Sequence, residues 1–303
     1  MSIMNYKIFE SSNKDVKKFV FTKDNEDGTR DIAVEAVLYR YGNYATRTVI
    51  CCSTQCGCPV GCSFCGTGKF FVRNLTWEEI CEQVISVLST IDCETSEIKK
   101  FQIMFMSMGE PFLNYYNLET AIRVLHEKYP NAQLLVSTSA PTSMKNHFDE
   151  FIALSKEIDK VGLQFSVHES LDENRRKLIP TNTSTLKEIS EYGELWASQV
   201  GRKVFYNYCV HPGNDSEEDA DRLIKLFNPA CWETTLSVIC EKSESVKSSI
   251  ERQLEIINTF AGYLTQKGAS LRIFNPAGQD DIGGGCGQLW FFQEWLKKRN
   301  NNK

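Results

Sequence analysis

No run of about 18 consecutive apolar residues, the least that spans a bilayer as a helix, occurs in the 303-residue sequence. Its opening, MSIMNYKIFESSNKDVKKF, has neither the apolar centre of a secretory signal nor the Arg-rich, acid-poor composition of a transit peptide. These absences predict no membrane segment and make the cytoplasm the expected location. Positive charge is not in excess either. With 34 basic residues against 39 acidic ones and a net charge of −5, the chain lacks the electropositive field that usually draws a phosphate backbone. Short basic runs do occur at Arg175-Arg176-Lys177 and Lys297-Lys298-Arg299 and read as solvated helix faces. No fixed-period repeat, low-complexity tract or Pro/Gly-rich linker divides the chain, so one continuous domain is the simplest organisation.

What the sequence does have is cysteine: 12 residues, in a chain with no secretion signal. A reducing compartment keeps such thiols free, so metal binding or catalysis is expected rather than a disulfide framework. From about residue 32 onward, short β-branched runs alternate with longer amphipathic ones, the pattern of an α/β fold with a parallel sheet. Strands are predicted at 32–39, 46–52, 101–106, 133–137, 161–167, 204–210, 234–239 and 270–274, and helices at 76–91, 118–128, 187–199, 216–227 and 249–266. Thr76 with Glu79, and Ser216 with Asp219, carry the spacing of helix-capping pairs. Periodicity alone leaves a barrel and an open doubly wound sheet both open, and in either the active site belongs at the carboxyl ends of the strands.

The segment CCSTQCGCPVGCSFCGTGKFF spaces Cys58, Cys62 and Cys65 as C-x3-C-x2-C directly after a predicted strand. Three soft thiolates on one loop suit an iron–sulfur centre, and three ligands for a four-iron cube leave one iron open to a small molecule. A structural zinc site is the other reading, with Cys52 or Cys56 as fourth ligand. Downstream, IMFMSMGEPFLN ends another predicted strand in Met108-Gly109-Glu110-Pro111. Alone it is an ordinary turn; after the cysteine loop, its acid is a candidate partner for a cationic amine.

The cysteine loop with Phe64 before its last cysteine, and the Gly-Glu-Pro segment, resemble the radical S-adenosylmethionine (SAM) superfamily. The motifs CCSTQCGC, FVRNLTWEEI, MSMGEPFLN, LLVSTSAP, LQFSVHESLDENRRKLIP, GNDSEEDADRL and DDIGGGCGQL narrow the resemblance, over roughly residues 32–290. They are similar to the class that methylates adenosine of 23S ribosomal RNA at carbon 2, and to its relative that gives chloramphenicol–florfenicol resistance at carbon 8. The resemblance implies a partial (β/α)6 barrel, with residues 1–44 as an N-terminal strand extension, 45–290 as the core and 291–303 as a tail. It implies a [4Fe–4S] cluster on Cys58, Cys62 and Cys65, and SAM held by Gly109, Glu110, Ser137, Ser166, Val167, His168 and the Thr235 position. In the family, the cysteine matching Cys286 first takes a methyl group from one SAM. A 5′-deoxyadenosyl radical from a second SAM removes hydrogen from that methyl, and the carbon adds to an sp2 carbon of the substrate. The cysteine matching Cys51 resolves the adduct by forming a disulfide, and Glu35 matches the acidic proton acceptor. The implied partners are SAM, a ribosomal or transfer RNA, and an electron donor such as flavodoxin or ferredoxin.

Three departures qualify the match. Only 50 residues precede Cys51, fewer than the accessory domain of the ribosomal enzymes needs; Thr235 stands where the family has asparagine; and LRIFNPAGQDDI, with Arg272 as its one arginine, replaces a basic stretch. All three weaken the expectation of phosphate contact. Two other functions stay open: a radical SAM enzyme acting on a small molecule or without methyl transfer, Cys286 then being structural, and a non-enzymatic iron–sulfur or zinc module.

Overall fold

The computed structural model describes residues 3–238, 246–274 and 282. The chain begins with β1 (Asn5–Glu10), β2 (Val16–Asp24), β3 (Arg30–Arg40) and β4 (Arg47–Cys51), then β5 (Gln55–Gly57) and β6 (Phe71–Asn74). It continues through α1 (Trp77–Leu88), β7 (Lys100–Phe105), α2 (Tyr115–Lys128), β8 (Gln133–Thr138), α3 (Phe148–Glu157) and β9 (Val161–Ser166). There follow α4 (Asp172–Leu178), α5 (Leu186–Val200), β10 (Val204–Val210), α6 (Glu217–Leu226), β11 (Trp232–Val238), α7 (Val246–Gln266) and β12 (Leu271–Ile273).

One sheet takes the order β1-β2-β3-β4-β7-β8-β9-β10-β11-β12, while β5 and β6 pair only with each other. The pairings from β1 to β4 are antiparallel, and those from β4 to β12 are parallel. Six strand–helix units succeed one another, β4–α1, β7–α2, β8–α3, β9–α5, β10–α6 and β11–α7. This is the α/β architecture expected, with an antiparallel extension ahead of it. The sheet curls: Arg272 on β12 and Arg47 on β4, the last and first parallel strands, lie in each other's field. Tyr41, whose ring lies 4.1 Å beneath the Arg47 guanidinium, feels both.

Residues paired across strands point to the same face, and two rows result. Leu38, Ile50, Ile103, Leu134 and Val161 follow one another in register and are wholly buried in the core that packs against the helices. Each such side chain contributes roughly 1.5–3 kcal/mol. The alternate row, Val37–Cys51–Met104–Leu135–Gly162, faces the other way, into the curl of the sheet.

All eight predicted strands and all five predicted helices are present, with ends moved by a few residues. Thr76–Glu79 and Ser216–Asp219 both close as reciprocal capping pairs. Unpredicted are β1, β2, the short β5 and β6, α3 and α4. Almost every residue of β1 is exposed, which erases the alternation that marks a strand, and the lysines of β2 break its apolar run. The helices α3 and α4, of 10 and 7 residues, are too short for a 3.6-residue period to stand out.

Candidate active site

The loop that carries Cys58, Cys62 and Cys65 leaves the end of β4 and is closed at its base by the β5–β6 pair. Gly57 sits at φ +84°, and a Cβ there would lie 2.0 Å from the Phe70 carbonyl oxygen, so the two legs of the loop meet without room for a side chain. The Cys58 N–H donates to that carbonyl at 2.8 Å, and the Ser63 N–H donates to Leu178 O, at the end of α4, at 2.9 Å. Burial pushes the Cys58 thiol up to about 12, with Glu110 and Cys65 adding to the effect. Cys62 is raised further, by burial first and then by Cys65, Cys58 and Glu110, with Arg175 pulling the other way. Cys58 and Cys62 therefore lie in a water-poor place where burial and the neighbouring loop cysteines disfavour their thiolates. Such a set is stabilised by a cationic centre that replaces the thiol protons. Among the described residues no three His, Cys, Asp or Glu side chains converge closely enough for a single metal ion. A four-iron cube takes its thiolates at separate corners, which asks for a wider spacing.

Glu110, buried at the end of β7, is held by four donors. Its Oε1 accepts from the Phe112 N–H at 3.1 Å and the Thr138 hydroxyl at 2.6 Å, and its Oε2 from the Ser139 N–H at 2.7 Å and hydroxyl at 2.8 Å. Burial raises its pKa and these bonds oppose the rise. Four donors fill the lone pairs of a carboxylate, so the acid is locked to the end of β8. Gly109, at φ +103°, lies so close to Gln55 that a Cβ would stand 2.7 Å from Gln55 Cβ. Gln55 Oε1 in turn accepts from the Glu110 N–H at 2.8 Å.

Arg175 joins these strand ends. Its Nε donates to Val167 O, Nη1 to Thr183 Oγ1 and Ser184 O, and Nη2 to Ser139 O and Ser166 O, all at 2.8–3.2 Å. Arg176 and Lys177 are exposed as a solvated basic face requires, but Arg175 is 2% exposed, which corrects that expectation for this residue: it points inward from α4. Burial lowers its pKa to about 10. Beside it, His168 takes a left-handed φ of 61°, unusual for a side chain with a Cβ. The conformation is held because its N–H donates to Asn207 O at 3.3 Å and its carbonyl accepts from Asn214 Nδ2 at 2.9 Å. Its Nδ1 accepts from the Cys209 N–H at 3.2 Å, so the ring is neutral with its proton on Nε2, and burial drives its pKa down to about 3. Phe64, from the cysteine loop, meets this ring edge-on at 5.2 Å.

Cys51 lies on the inward row at the end of β4, where burial pushes its thiol up to about 12. Glu35 follows on the same face, two residues from Val37, the register partner of Cys51. Lys18 pairs in register with Val37, and its Nζ stands 3.1 Å from Glu35 Oε2, both side chains fully buried. Burial lowers the Lys18 pKa against the pull of Glu35. The Glu35 carbonyl accepts from the Ser53 and Ser107 hydroxyls at 2.7 Å each, which ties this residue to the ends of β4 and β7. Across the curl, Ser137 also faces inward, opposite Gln164. Ser166, Asn207, Thr235 and Arg272 form one register row, and the Thr235 hydroxyl accepts from Arg272 Nε at 2.9 Å.

At the rim, His211 Nε2 lies 2.9 Å from Glu169 Oε1, and Nδ1 3.0 Å from Pro212 O. A carboxylate and a carbonyl both accept, so both ring nitrogens donate and the ring is an imidazolium. Its pKa is raised, chiefly by the Glu169 bond. A raised folded-state pKa gives stability that is fully present below the unfolded value near 6.5 and is lost as pH rises through the folded value. Thermal midpoints of the wild type and Glu169→Gln are therefore expected to differ most at pH 5.5–6 and to converge by about pH 9. A constant difference across that range would remove the imidazolium assignment.

The cysteine loop, Gly109, Glu110, Ser137, Ser166, Val167, His168, Glu35, Cys51 and Thr235 thus all fall at the carboxyl ends of the strands or on the inner face below them. Cys286 lies outside the described residues, as does most of the segment after Phe274. Sequence reading missed Lys18, Arg175, Asn207, Thr138, Ser139 and the Glu169–His211 pair. A signal for Arg175 existed in its four-residue spacing from the buried Ile179.

The family model of the radical SAM superfamily matches residues 52–227. The probable dual-specificity RNA methyltransferase RlmN of Heliobacterium modesticaldum is 32% identical over 261 residues, which cover 84% of this chain and 66% of that protein. Its counterpart in Thermotoga petrophila is 34% identical over 275 residues, 89% of this chain and 74% of that one. The chain spans about two thirds to three quarters of the length of these relatives. A crystal structure of a radical SAM methyltransferase from Sphaerobacter thermophilus is similar with a TM-score of 0.74 and 27% identity, over 95% of this chain and 81% of that one.

Proposed function

The chain belongs to the radical SAM superfamily and, within it, to the RlmN-like methyltransferases; on that premise we propose that it methylates an sp2 carbon of an adenine in RNA through a methyl group carried on Cys286. The observation that supports this most is the meeting of the Cys58, Cys62 and Cys65 loop with Glu110 and with His168 at the ends of β4, β7 and β9. Those three cysteines hold the [4Fe–4S] cluster in this reading, and Gly109, Glu110, Ser137, Ser166, Val167 and His168 line the SAM. When bound, the cluster supplies the electron that cleaves SAM. Arg175 fixes the ends of β8 and β9 around the ligand and sets a positive charge near Cys62. Glu110, its lone pairs already filled, draws the methionine ammonium by charge.

Cys286 takes a methyl group from one SAM: its sulfur–carbon bond forms as the sulfonium bond breaks and S-adenosylhomocysteine leaves. Cys51, held as a thiol by burial, is a poor nucleophile toward SAM and stays out of that step. It acts later: its sulfur bonds to the Cys286 sulfur as the Cys286–carbon bond breaks, the electron pair of that bond leaves with the transferred carbon, which takes up the proton given up by Cys51, and a Cys51–Cys286 disulfide remains. Glu35 accepts the proton displaced from the substrate carbon, and the one electron released with it would return to the cluster. RNA enters the proposal through the relatives' activity, and with a net charge of −5 its contacts rest on local groups rather than on the overall field. Residues 1–44 are assigned to the extension, 45–290 to the core and 291–303 to the tail. The cytoplasm is the proposed location, and a flavodoxin or ferredoxin the proposed electron donor.

Incubation of the anaerobically reconstituted protein with methyl-labelled SAM and a low-potential reductant tests the reading. Labelled methyl-thioether on the Cys286 peptide is the expected result by tandem mass spectrometry. Formation of 5′-deoxyadenosine with no label on that peptide would leave a radical SAM enzyme but remove the methyl carrier.

A further inference from the structure

We infer that Asn207 contacts SAM, donating a hydrogen bond from its side-chain amide to an oxygen or ring-nitrogen acceptor of the ligand. The inference rests on the SAM site proposed above and adds a residue to it. Asn207 is the one amide side chain in the run Val204–Val210 (VFYNYCV). Its neighbours Tyr206 and Tyr208 are turned to the core under the helices, so it faces the inside of the curl. In register it stands between Ser166 on β9 and Thr235 on β11. Its own carbonyl oxygen accepts from the Val167 and His168 N–H groups at 3.0 and 3.3 Å. The backbone of Asn207 is thus what holds the Ser166-Val167-His168 segment in place, and its side chain opens into the same space.

Asn207 Oδ1 is turned to the Ser237 hydroxyl, which donates to it at 3.0 Å, and in this orientation Nδ2 is a two-proton donor. Among the described residues Nδ2 has no partner, and the side chain is only half-buried. Ser237 is itself in contact with Cys209 Sγ at 3.3 Å, and the Cys209 N–H donates to His168 Nδ1 at 3.2 Å. A continuous polar chain therefore runs from Asn207 to His168, and through its ring to Phe64 of the cysteine loop. Thr235 is the rival on the next strand. Its hydroxyl is 2.9 Å from Arg272 Nε, its residue is 5% exposed, and its side chain is shorter than that of asparagine. The longer amide one strand away is the better placed donor.

Equilibrium binding of SAM to the anaerobically reconstituted full chain, without reductant, reads the contact independently of turnover. Asn207→Ala is expected to raise the Kd about ten-fold, the loss of one ligand hydrogen bond, with iron per chain and thermal midpoint unchanged. Asn207→Asp keeps the shape and the Ser237 bond while removing the donor, and is expected to weaken binding at least as much. Thr235→Val is expected to change it by less than about two-fold. A wild-type Kd retained in both Asn207 variants, or a larger loss in Thr235→Val, overturns the inference while leaving the SAM site standing. A wild-type protein that carries its iron yet binds no SAM overturns the site and the inference together.

Discussion

Replacing Arg175 by methionine is expected to lower folding stability by more than about 4 kcal/mol, the range reserved for breaking a buried network. Five acceptors from three segments turn to this one guanidinium. Each buried carbonyl left without a donor costs roughly 1–3 kcal/mol, and some relaxation toward water keeps the total below the sum. In a chain of 303 residues, where each kcal/mol moves the midpoint by about 2–4 °C or somewhat less, the thermal midpoint should fall by on the order of 10 °C. Arg175→Lys restores the charge but offers three donors in place of five, so it should recover only part of the loss. The same substitutions free the ends of β8 and β9, and SAM binding should weaken in step with stability. A methionine variant melting within about 3 °C of the wild type would show that the five acceptors find other donors.

The case of Arg175 also shows where sequence reading stops. The antiparallel β3 and the parallel strands from β4 to β11 were legible because each buries one or both faces, and burial leaves apolar runs of strand length. Capping pairs at Thr76 and Ser216 were legible because they act within one turn. Glu110, His168 and the cysteine loop stood out because short motifs carried them. The positions that depend on contacts far along the chain did not. Lys18 is one of three lysines in β2, and nothing local separates it from Lys17 and Lys23; only the register with β3 brings it to Glu35. The Glu110 lock needs Thr138 and Ser139 from the next strand, 28 and 29 residues away, whereas sequence matching had stopped one and two residues short, at Ser137. Asn207 did leave a trace, as a lone amide among aromatic and β-branched residues.

Lys18 and Glu35 allow stability and chemistry to be separated. The pair is fully buried at 3.1 Å, on the same inward face as Cys51. Removing one partner from such a pair leaves an uncompensated charge away from water, at a cost of about 3–5 kcal/mol. Lys18→Met is therefore expected to destabilise the fold by that amount, as read from denaturant midpoints at constant slope. Replacing both, as Lys18→Met with Glu35→Leu, removes the desolvation of two ions along with their attraction. The double variant should return to within about 1 kcal/mol of the wild type or exceed it. On that outcome stability alone gives the pair no reason to exist, and a buried pair retained without net stabilisation points to a use for one of its charges. If Glu35 accepts the substrate proton, the double variant folds, binds iron and SAM, and takes the methyl label on Cys286, yet fails to release methylated product. If it turns over as fast as the wild type, Glu35 is a partner for Lys18 and nothing more, and the proton acceptor must be sought among the other groups on the inward face.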